Sequence, residues 1–93
     1  MIGTHPRLDP QIKLAQELAY EFHRDQFRRD GSTPYMRHIE EVARRVQGKD
    51  FITEAMAWLH DTLEDTDATA QILLGEGVLP AIVNGVVSLT HEK

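Results

Sequence analysis

The sequence predicts an all-α protein built as a bundle of about five helices, and three observations lead to that prediction. Apolar residues recur at intervals of three and four along most of the 93-residue chain, and the alternating pattern of a half-buried strand is absent. There is no cysteine, so a disulfide framework and a thiolate zinc site are both excluded. The 41% hydrophobic content suits one small globular domain over residues 1–93.

The first helix is predicted to begin at Asp9 and Pro10, which have the pattern of an N-cap and a first-turn proline, and to run to about Arg28. Its apolar stripe consists of Ile12, Leu14, Ala15, Leu18, Ala19 and Phe22. The segment RRDGSTPY follows, and its glycine, proline and small polar residues predict a loop that ends at Tyr35.

The second helix is predicted from Met36 to Gly48, where a glycine favours a helix end. Its apolar positions are Met36, Ile39, Val42, Ala43 and Val46. A third helix follows, capped by either Asp50 or Thr53, and carries the sequence HDTLED at its carboxyl end. The side chains predicted on its buried face are Phe51, Ala55, Met56, Trp58 and Leu59.

Two more helices complete the predicted bundle. Asp67 is expected to cap a short fourth helix through Leu74, and the Gly-Glu-Gly sequence after it favours a break. Pro80 is expected to begin the fifth helix. The apolar positions of that helix are Ile82, Val83, Val86, Val87 and Leu89.

Charge and hydropathy exclude some classes of partner. Fifteen acidic and ten basic residues give a net charge of −5, which argues against loose binding to a nucleic-acid backbone. The amino-terminal sequence lacks the pattern of a secretory signal, and no run approaches the ~20 apolar residues of a membrane span. We therefore expect a cytoplasmic protein without a nucleic-acid or membrane partner.

The HDTLED sequence suggests a metal site. Residues four apart share a helix face, which pairs His60 with Glu64 and Asp61 with Asp65. Three carboxylates near the carbonyl end of a helix repel one another and oppose the helix dipole, and a divalent cation would relieve that conflict. Histidine with carboxylate suits Mn, Fe or Zn. An acidic run at a helix end is also typical of a solvated surface, so this motif alone leaves both interpretations open.

Four blocks of residues follow one another along the chain: His23, Gln26 and Arg28; Pro34, Tyr35 and His38; His60, Asp61, Glu64, Asp65 and Thr66; and Gly85, Val86, Leu89 and Thr90. In this order they resemble the HD-domain phosphohydrolases of the RelA/SpoT type. The match spans roughly residues 15–93. It implies an HD-domain helical bundle with a divalent-metal phosphohydrolase activity, typically a manganese enzyme, that removes pyrophosphate from the 3′ position of guanosine tetra- or pentaphosphate.

The resemblance also implies roles for seven residues. These are His38, His60 and Asp61 as metal ligands, Glu64 and Asp65 as the pair that positions and deprotonates the attacking water, and Arg28 and Tyr35 as contacts to the nucleotide base. His23, on the side of the first helix that carries Ala19, is expected in the core or behind the ligands.

The chain departs from the family pattern in two places. The family has a further aspartate ligand beyond the GV-containing helix, and this sequence ends at Lys93 before any such position. We expect a truncated chain that lacks the carboxyl-terminal helices of the family and need not be active by itself. The alternatives are a natural short form completed by another subunit and a remnant that binds metal weakly or not at all. The loop before Tyr35 is one residue longer than in many relatives, so either Arg28 or Arg29 can face the nucleotide.

Missing helices would leave apolar faces of the last two helices exposed, which predicts a homo-oligomer. Three function classes stay open: the alarmone pyrophosphohydrolase, a non-catalytic HD module for oligomerisation or nucleotide sensing, and a different HD hydrolase acting on ordinary nucleoside phosphates. Bound metal distinguishes the first class from the second. A substrate panel distinguishes the first from the third.

Overall fold

The computed structural model of the chain describes residues 9–28 and 30–91, and that part of the chain is helical. Its helices are α1 (Pro10–Phe22), α2 (Met36–Arg45), α3 (Phe51–Leu59), α4 (Thr62–Asp65), α5 (Ala70–Gly75) and α6 (Pro80–His91). Within the described ranges, the β-structure is a single isolated bridge between Phe27 and Pro34. The all-α prediction is confirmed, with one helix more than expected because α4 forms a separate turn after α3.

Helix α3 lies at the centre of the bundle. It packs against α1, α2 and α6, and α6 also contacts α4 and α5. The main apolar cluster consists of Ala15, Leu18, Ala55, Leu59, Leu73, Val78, Ile82, Val83 and Val86. A smaller cluster of Ala19, Met36 and Ile39 lies beside Tyr35 and Trp58. Each fully buried Leu, Ile or Val stabilises the fold by roughly 1.5–3 kcal/mol, so these clusters are the main source of its stability.

Gly85 allows α6 to lie close to α3. A Cβ atom added at Gly85 would lie 2.5 Å from Sδ of Met56 and 3.2 Å from its Cγ. Any larger residue would push Met56 aside, so the glycine in the GV pair has a packing role here.

Side-chain caps begin three of the helices. Asp9 accepts from the Gln11 N–H at 2.7 Å, and Asp50 accepts from the Thr53 N–H at 2.8 Å. Asp50 is thus the cap of α3, which resolves the two alternatives. The prediction for the next cap is wrong, because Thr69, not Asp67, accepts from the Ile72 N–H at 3.1 Å. The Ala68 N–H instead donates to Thr66 Oγ1, which keeps the chain in a turn before α5 begins.

Helix α1 ends at Phe22, six residues earlier than predicted. The Gln26 N–H turns back to the His23 carbonyl at 3.0 Å, so the backbone leaves the helix at His23. The loop then closes on itself: the Arg28 N–H donates to Thr33 O at 2.7 Å, and the Tyr35 N–H donates to Gln26 O at 3.0 Å. These cross-loop bonds satisfy backbone groups that a longer α1 would have used.

Other predictions of helix ends and burial also need correction. Helix α2 ends at Arg45, and Gly48 follows with a φ of 91°, a conformation that favours glycine. Phe51 is 38% exposed and belongs to neither apolar cluster, because it lies in the first turn of α3 beyond their edge. On α6, Ile82, Val83 and Val86 are buried as predicted, whereas Val87 and Leu89 are exposed.

No helix among the described residues is long and apolar enough to cross a membrane.

Candidate metal centre

Three side chains from two separate parts of the sequence meet where α2 passes the end of α3. His38 lies on α2, and His60 and Asp61 follow the last residue of α3. Their ligand-type atoms all lie within 4.8 Å of one another. Oδ2 of Asp61 is 3.1 Å from Nε2 of His60 and 3.6 Å from Nε2 of His38. All three side chains are half-buried, so they are partly shielded from water and still reachable.

A break in the helix sets the direction of these side chains. The sequence predicted one helix carrying HDTLED at its end, but α3 stops at Leu59 and α4 starts at Thr62. His60 and Asp61 occupy the junction, and Asp61 has a φ of −100° and a ψ of 0°, outside the helical range. Adjacent residues on a regular helix point about 100° apart. The distorted junction lets both side chains approach His38.

A backbone hydrogen bond fixes the orientation of the His60 ring. Its Nδ1 lies 2.7 Å from the Ala57 carbonyl oxygen, which can only accept, so Nδ1 carries the proton. Nε2 is therefore the nitrogen that faces Asp61. A histidine held through Nδ1–H to a carbonyl is the usual arrangement of an imidazole that binds metal through Nε2.

The electrostatics of His60 and Asp61 favour a positive charge between them. Burial lowers the pKa of His60, but hydrogen bonds to Asp61 and Ala57 O and the charges of Asp61 and Asp65 outweigh it and raise the pKa. Burial acts to raise the pKa of Asp61, yet hydrogen bonds from His60 and Tyr35 and the nearby histidines lower it to about 2. Both shifts indicate a site suited to a cation.

Tyr35 contacts the same carboxylate. Its hydroxyl donates to Oδ2 of Asp61 at 2.6 Å and lies 3.3 Å from Oδ2 of Asp65. Burial, with the hydrogen bonds and charges of Asp61 and Asp65, raises the pKa of Tyr35, so the phenol stays a donor. Sequence reasoning placed Tyr35 in a substrate role and missed this bond. The resemblance flagged the residue, but no local pattern indicates which way its hydroxyl points.

Gln26 anchors the loop before α2 to α4 and to His23 at the end of α1. Its Nε2 donates to the Asp65 carbonyl at 2.5 Å, and its Oε1 accepts from Nδ1 of His23 at 2.7 Å. His23 is 1% exposed, its ring stacks on Tyr35 with 5.3 Å between centroids, and its Nε2 lies 3.5 Å from Oγ1 of Thr62. The predicted core position of His23 is confirmed. Sequence reasoning gave Thr62 no role and named Gln26 only within a block.

The remaining predicted site residues lie around this centre. Glu64 and Asp65 are exposed on the single turn of α4, and Asp65 is linked to the site through Tyr35. Arg28 is exposed in the loop. Arg29, the alternative nucleotide contact, lies outside the described residues.

The chain is similar to three curated proteins, whereas no protein-family model matches it. It is 37% identical over 98 aligned residues to a guanosine-3′,5′-bis(diphosphate) 3′-pyrophosphohydrolase of Aquifex aeolicus, covering 100% of this chain and 14% of that protein. It is 35% identical to a probable GTP pyrophosphokinase of Mycobacterium leprae, covering 96% of the chain and 12% of that protein.

The third relative is the guanosine-3′,5′-bis(diphosphate) 3′-pyrophosphohydrolase MESH1 of Danio rerio, at 42% identity over 82% of this chain. The chain spans 44% of that protein, so it covers less than half the length of each of these relatives. With two pyrophosphohydrolases and a pyrophosphokinase sharing this segment, the chain is a RelA/SpoT-type, HD-hydrolase-like sequence.

Proposed function

We propose that the chain contributes the metal centre of an HD-domain phosphohydrolase that acts on 3′-pyrophosphorylated guanosine nucleotides. One observation carries the proposal: His38, His60 and Asp61 converge within 4.8 Å in a chain similar to two proteins named 3′-pyrophosphohydrolases. A cytoplasmic location fits that substrate class and stays part of the proposal.

The donor set fits a divalent transition metal. Two imidazole nitrogens and one carboxylate oxygen suit Mn²⁺, Fe²⁺ or Zn²⁺, and three protein ligands leave positions for water and substrate. Manganese is the ion we propose. A divalent ion held by these residues would supply Lewis-acid polarisation of a phosphoryl oxygen and a lowered pKa for a water. The ring of His60 is already oriented for this by its bond to Ala57 O.

Glu64 and Asp65 are proposed to position the attacking water and take its proton. Both are exposed one turn after His60 and Asp61, where water and substrate can reach them. The water oxygen bonds to the phosphorus attached to the ribose 3′ oxygen, and the ester bond between them breaks. The proton passes through a carboxylate to the departing 3′ oxygen, and pyrophosphate leaves. Such general-base assistance is worth about 10²–10⁴ in rate.

Arg28 and Tyr35 are proposed to contact the guanine base. Arg28 is exposed in the loop, and a guanidinium stacks on a flat ring while keeping its charge for phosphate. The Tyr35 ring lies between the rings of His23 and His38, at centroid distances of 5.3 and 5.6 Å. A base would therefore contact the part of the half-buried Tyr35 ring that these two rings leave accessible.

The test is a substrate panel with Mn²⁺ on the purified chain and on a form extended to the stop codon of its gene, using guanosine tetraphosphate, GTP and GDP, with release of pyrophosphate and of phosphate as the readouts. We expect the extended form to release pyrophosphate from guanosine tetraphosphate and neither product from GTP or GDP. Glu64→Ala should lower turnover by about 10²–10⁴ while Mn²⁺ binding is retained. Glu21→Ala, an exposed glutamate on α1, is the matched control and should leave turnover unchanged.

The other outcomes identify the competing functions. Comparable hydrolysis of GTP or GDP would contradict alarmone specificity and favour a different HD hydrolase. Failure of both forms to bind Mn²⁺ would contradict the enzyme and favour a non-catalytic module for oligomerisation or nucleotide sensing.

A further inference from the structure

We propose that the Tyr35 hydroxyl is a positioning group for the metal centre, because it holds the Asp61 carboxylate towards the two histidines and links it to Asp65. This role rests on the proposed metal site and differs from the base contact assigned to the Tyr35 ring. It concerns affinity for the ion itself, before any nucleotide binds.

The hydrogen bond to Asp61 has the geometry of a strong contact. At 2.6 Å it lies in the range of about 2.5–2.7 Å that is typical of a hydroxyl donating to a carboxylate. The oxygen that accepts it, Oδ2, is the same atom that faces Nε2 of His60 and of His38. A carboxylate oxygen has two lone pairs, so it can accept this bond and still bind a cation. The bond therefore limits rotation of the carboxylate and keeps Oδ2 aimed at the histidines.

Tyr35 is itself held in place, which a positioning group requires. Its ring stacks on the buried His23 and tilts against His38. Its backbone N–H donates to Gln26 O at 3.0 Å, and Gln26 in turn bonds both His23 and the Asp65 carbonyl. Tyr35 is thus held by the ring contacts with His23 and His38 and by its backbone hydrogen bond to Gln26.

The same hydroxyl also lies 3.3 Å from Oδ2 of Asp65. With one proton it donates to one carboxylate at a time, and the short bond to Asp61 is the stronger of the two. Asp61 and Asp65 lie one turn apart, and the Tyr35 hydroxyl is within hydrogen-bond distance of both carboxylates. A proposed metal ligand and a proposed water-activating group are therefore tied to one side chain.

The chain contains a matched control for this bond. Tyr20 on α1 also donates its hydroxyl to a carboxylate, that of Glu40 on α2, and this bond, with burial, raises the pKa of Tyr20 to about 12. Tyr20 is 47% exposed, and its ring contact is with Trp58 and not with His38 or His60. Replacing either tyrosine with phenylalanine removes one hydroxyl and one carboxylate bond, but only Tyr35→Phe touches the metal centre.

The experiment is Mn²⁺ calorimetry on the unsubstituted chain, Tyr35→Phe and Tyr20→Phe, with Co²⁺ visible spectra of each. Loss of a contact that supports a ligand typically weakens metal binding by about 10–100-fold, and that loss is expected for Tyr35→Phe alone. Its Co²⁺ spectrum should also change, which a purely structural role would not cause. Equal affinity and equal spectra in Tyr35→Phe and the unsubstituted chain would overturn the inference. If the unsubstituted chain binds no metal, the proposed metal site is wrong, and the role of Tyr35, which depends on that site, is wrong as well.

A second measurement needs no substitution at Tyr35 and covers the case in which that variant does not fold. Zn²⁺ is titrated into the chain labelled with ¹³C at the tyrosine Cζ atoms, and Tyr20→Phe assigns the two signals. The Tyr35 signal should move to a saturating shift while the Tyr20 signal stays in place. A Tyr35 signal that stays unmoved at saturating Zn²⁺ would overturn the inference.

Discussion

Two regions of the molecule meet at the end of α3: the apolar core includes Leu59, and the candidate metal centre begins at the next residue, His60. Ala55 and Leu59 are fully buried in the main apolar cluster, where contact with many neighbours matters and direction does not. His60 and Asp61 come next and are held by bonds of defined direction to Ala57 O, Tyr35 and each other. The comparison teaches that packing supplies the stability of this fold, whereas a few hydrogen bonds supply the geometry of its site.

This division has a testable consequence. Changes in the apolar cluster should alter the free energy of unfolding, with metal affinity following only because less protein is folded. Changes at the site should alter metal affinity and, without metal, should change the free energy of unfolding by less than a truncation in the apolar cluster does.

Leu59→Ala should give the largest loss of stability. Removing a fully buried leucine typically costs about 2–5 kcal/mol, because burial is lost and a cavity is left. Urea unfolding in the presence of a metal chelator measures this loss of stability. Leu74→Ala, at a 44% exposed position on α5, is the control and should change stability by less than about 0.5 kcal/mol. Equal losses of stability in the two variants would contradict the claim that packing in the apolar cluster supplies the stability of the fold.

Mn²⁺ bound by His38 and its neighbours should stabilise the folded state. A ligand at about 100 times its Kd stabilises the folded state by about 2.7 kcal/mol, so Mn²⁺ should raise the unfolding temperature. His38→Ala should lose this shift while its stability in chelator stays close to that of the unsubstituted chain. Thermal unfolding with and without Mn²⁺ is the measurement. A full Mn²⁺ shift in His38→Ala would remove His38 from the ligand set.

The pH dependence of stability should reflect the pair His60 and Asp61. The folded pKa of Asp61 is about 2 against a usual 3.8, so its contribution is present above pH 3.8 and is lost as the pH falls towards 2. The pKa of His60 is raised, so its contribution is complete below its usual 6.5 and is lost as the pH rises through the higher folded value.

The pair therefore stabilises the fold most between pH 3.8 and 6.5. Asp61→Asn should reduce the change in the free energy of unfolding at both ends of this pH range, by on the order of 1–2 kcal/mol in total. Urea unfolding in chelator across this range, compared between the two proteins, measures the difference. Parallel profiles would mean that the pair adds no stability.

The smallest expected effect is at the cap of α5. Thr69→Ala removes the bond to the Ile72 N–H and should cost about 1 kcal/mol. Asp67→Ala alters the residue that the sequence pattern favoured as the cap and should have almost no effect. The readout is the urea midpoint at constant m-value. A larger loss for Asp67→Ala than for Thr69→Ala would reverse the assignment of the cap.

Helical periodicity was sufficient to predict most of the core but not the loops. The stripe on α1 and the buried positions Ile82, Val83 and Val86 on α6 follow from spacing, because packing repeats with the helix period. The end of α1 and the break after Leu59 could not be predicted. They depend on hydrogen bonds across the loop and on backbone angles at Asp61, which leave no periodic signal in the sequence.

The residues of the candidate site could be predicted from the sequence, but the contacts between them could not. His38, His60 and Asp61 were predicted from motifs, and the structure brings them together. The bonds from Tyr35 to Asp61 and from Gln26 to the Asp65 carbonyl join residues 26 and 39 positions apart, and no pairwise pattern indicates them. The roles of Glu64, Asp65 and Arg28 stay predictions.

The expected homo-oligomer also stays a prediction. The exposed apolar side chains on α5, on α6 and between them are Ile72, Leu74, Leu79, Val87 and Leu89. Sedimentation of the chain over a range of concentrations would show whether they mediate association.

The most direct test of the central claim is Mn²⁺ calorimetry on the unsubstituted chain, Asp61→Ala and Asp67→Ala, each first shown to be helical by circular dichroism. If His38, His60 and Asp61 form the metal centre, the unsubstituted chain and Asp67→Ala bind one Mn²⁺ with the same affinity. Asp61→Ala should lose more than the ~10–100-fold that a supporting contact costs. Binding of Mn²⁺ by Asp61→Ala as tightly as by the unsubstituted chain would contradict the account.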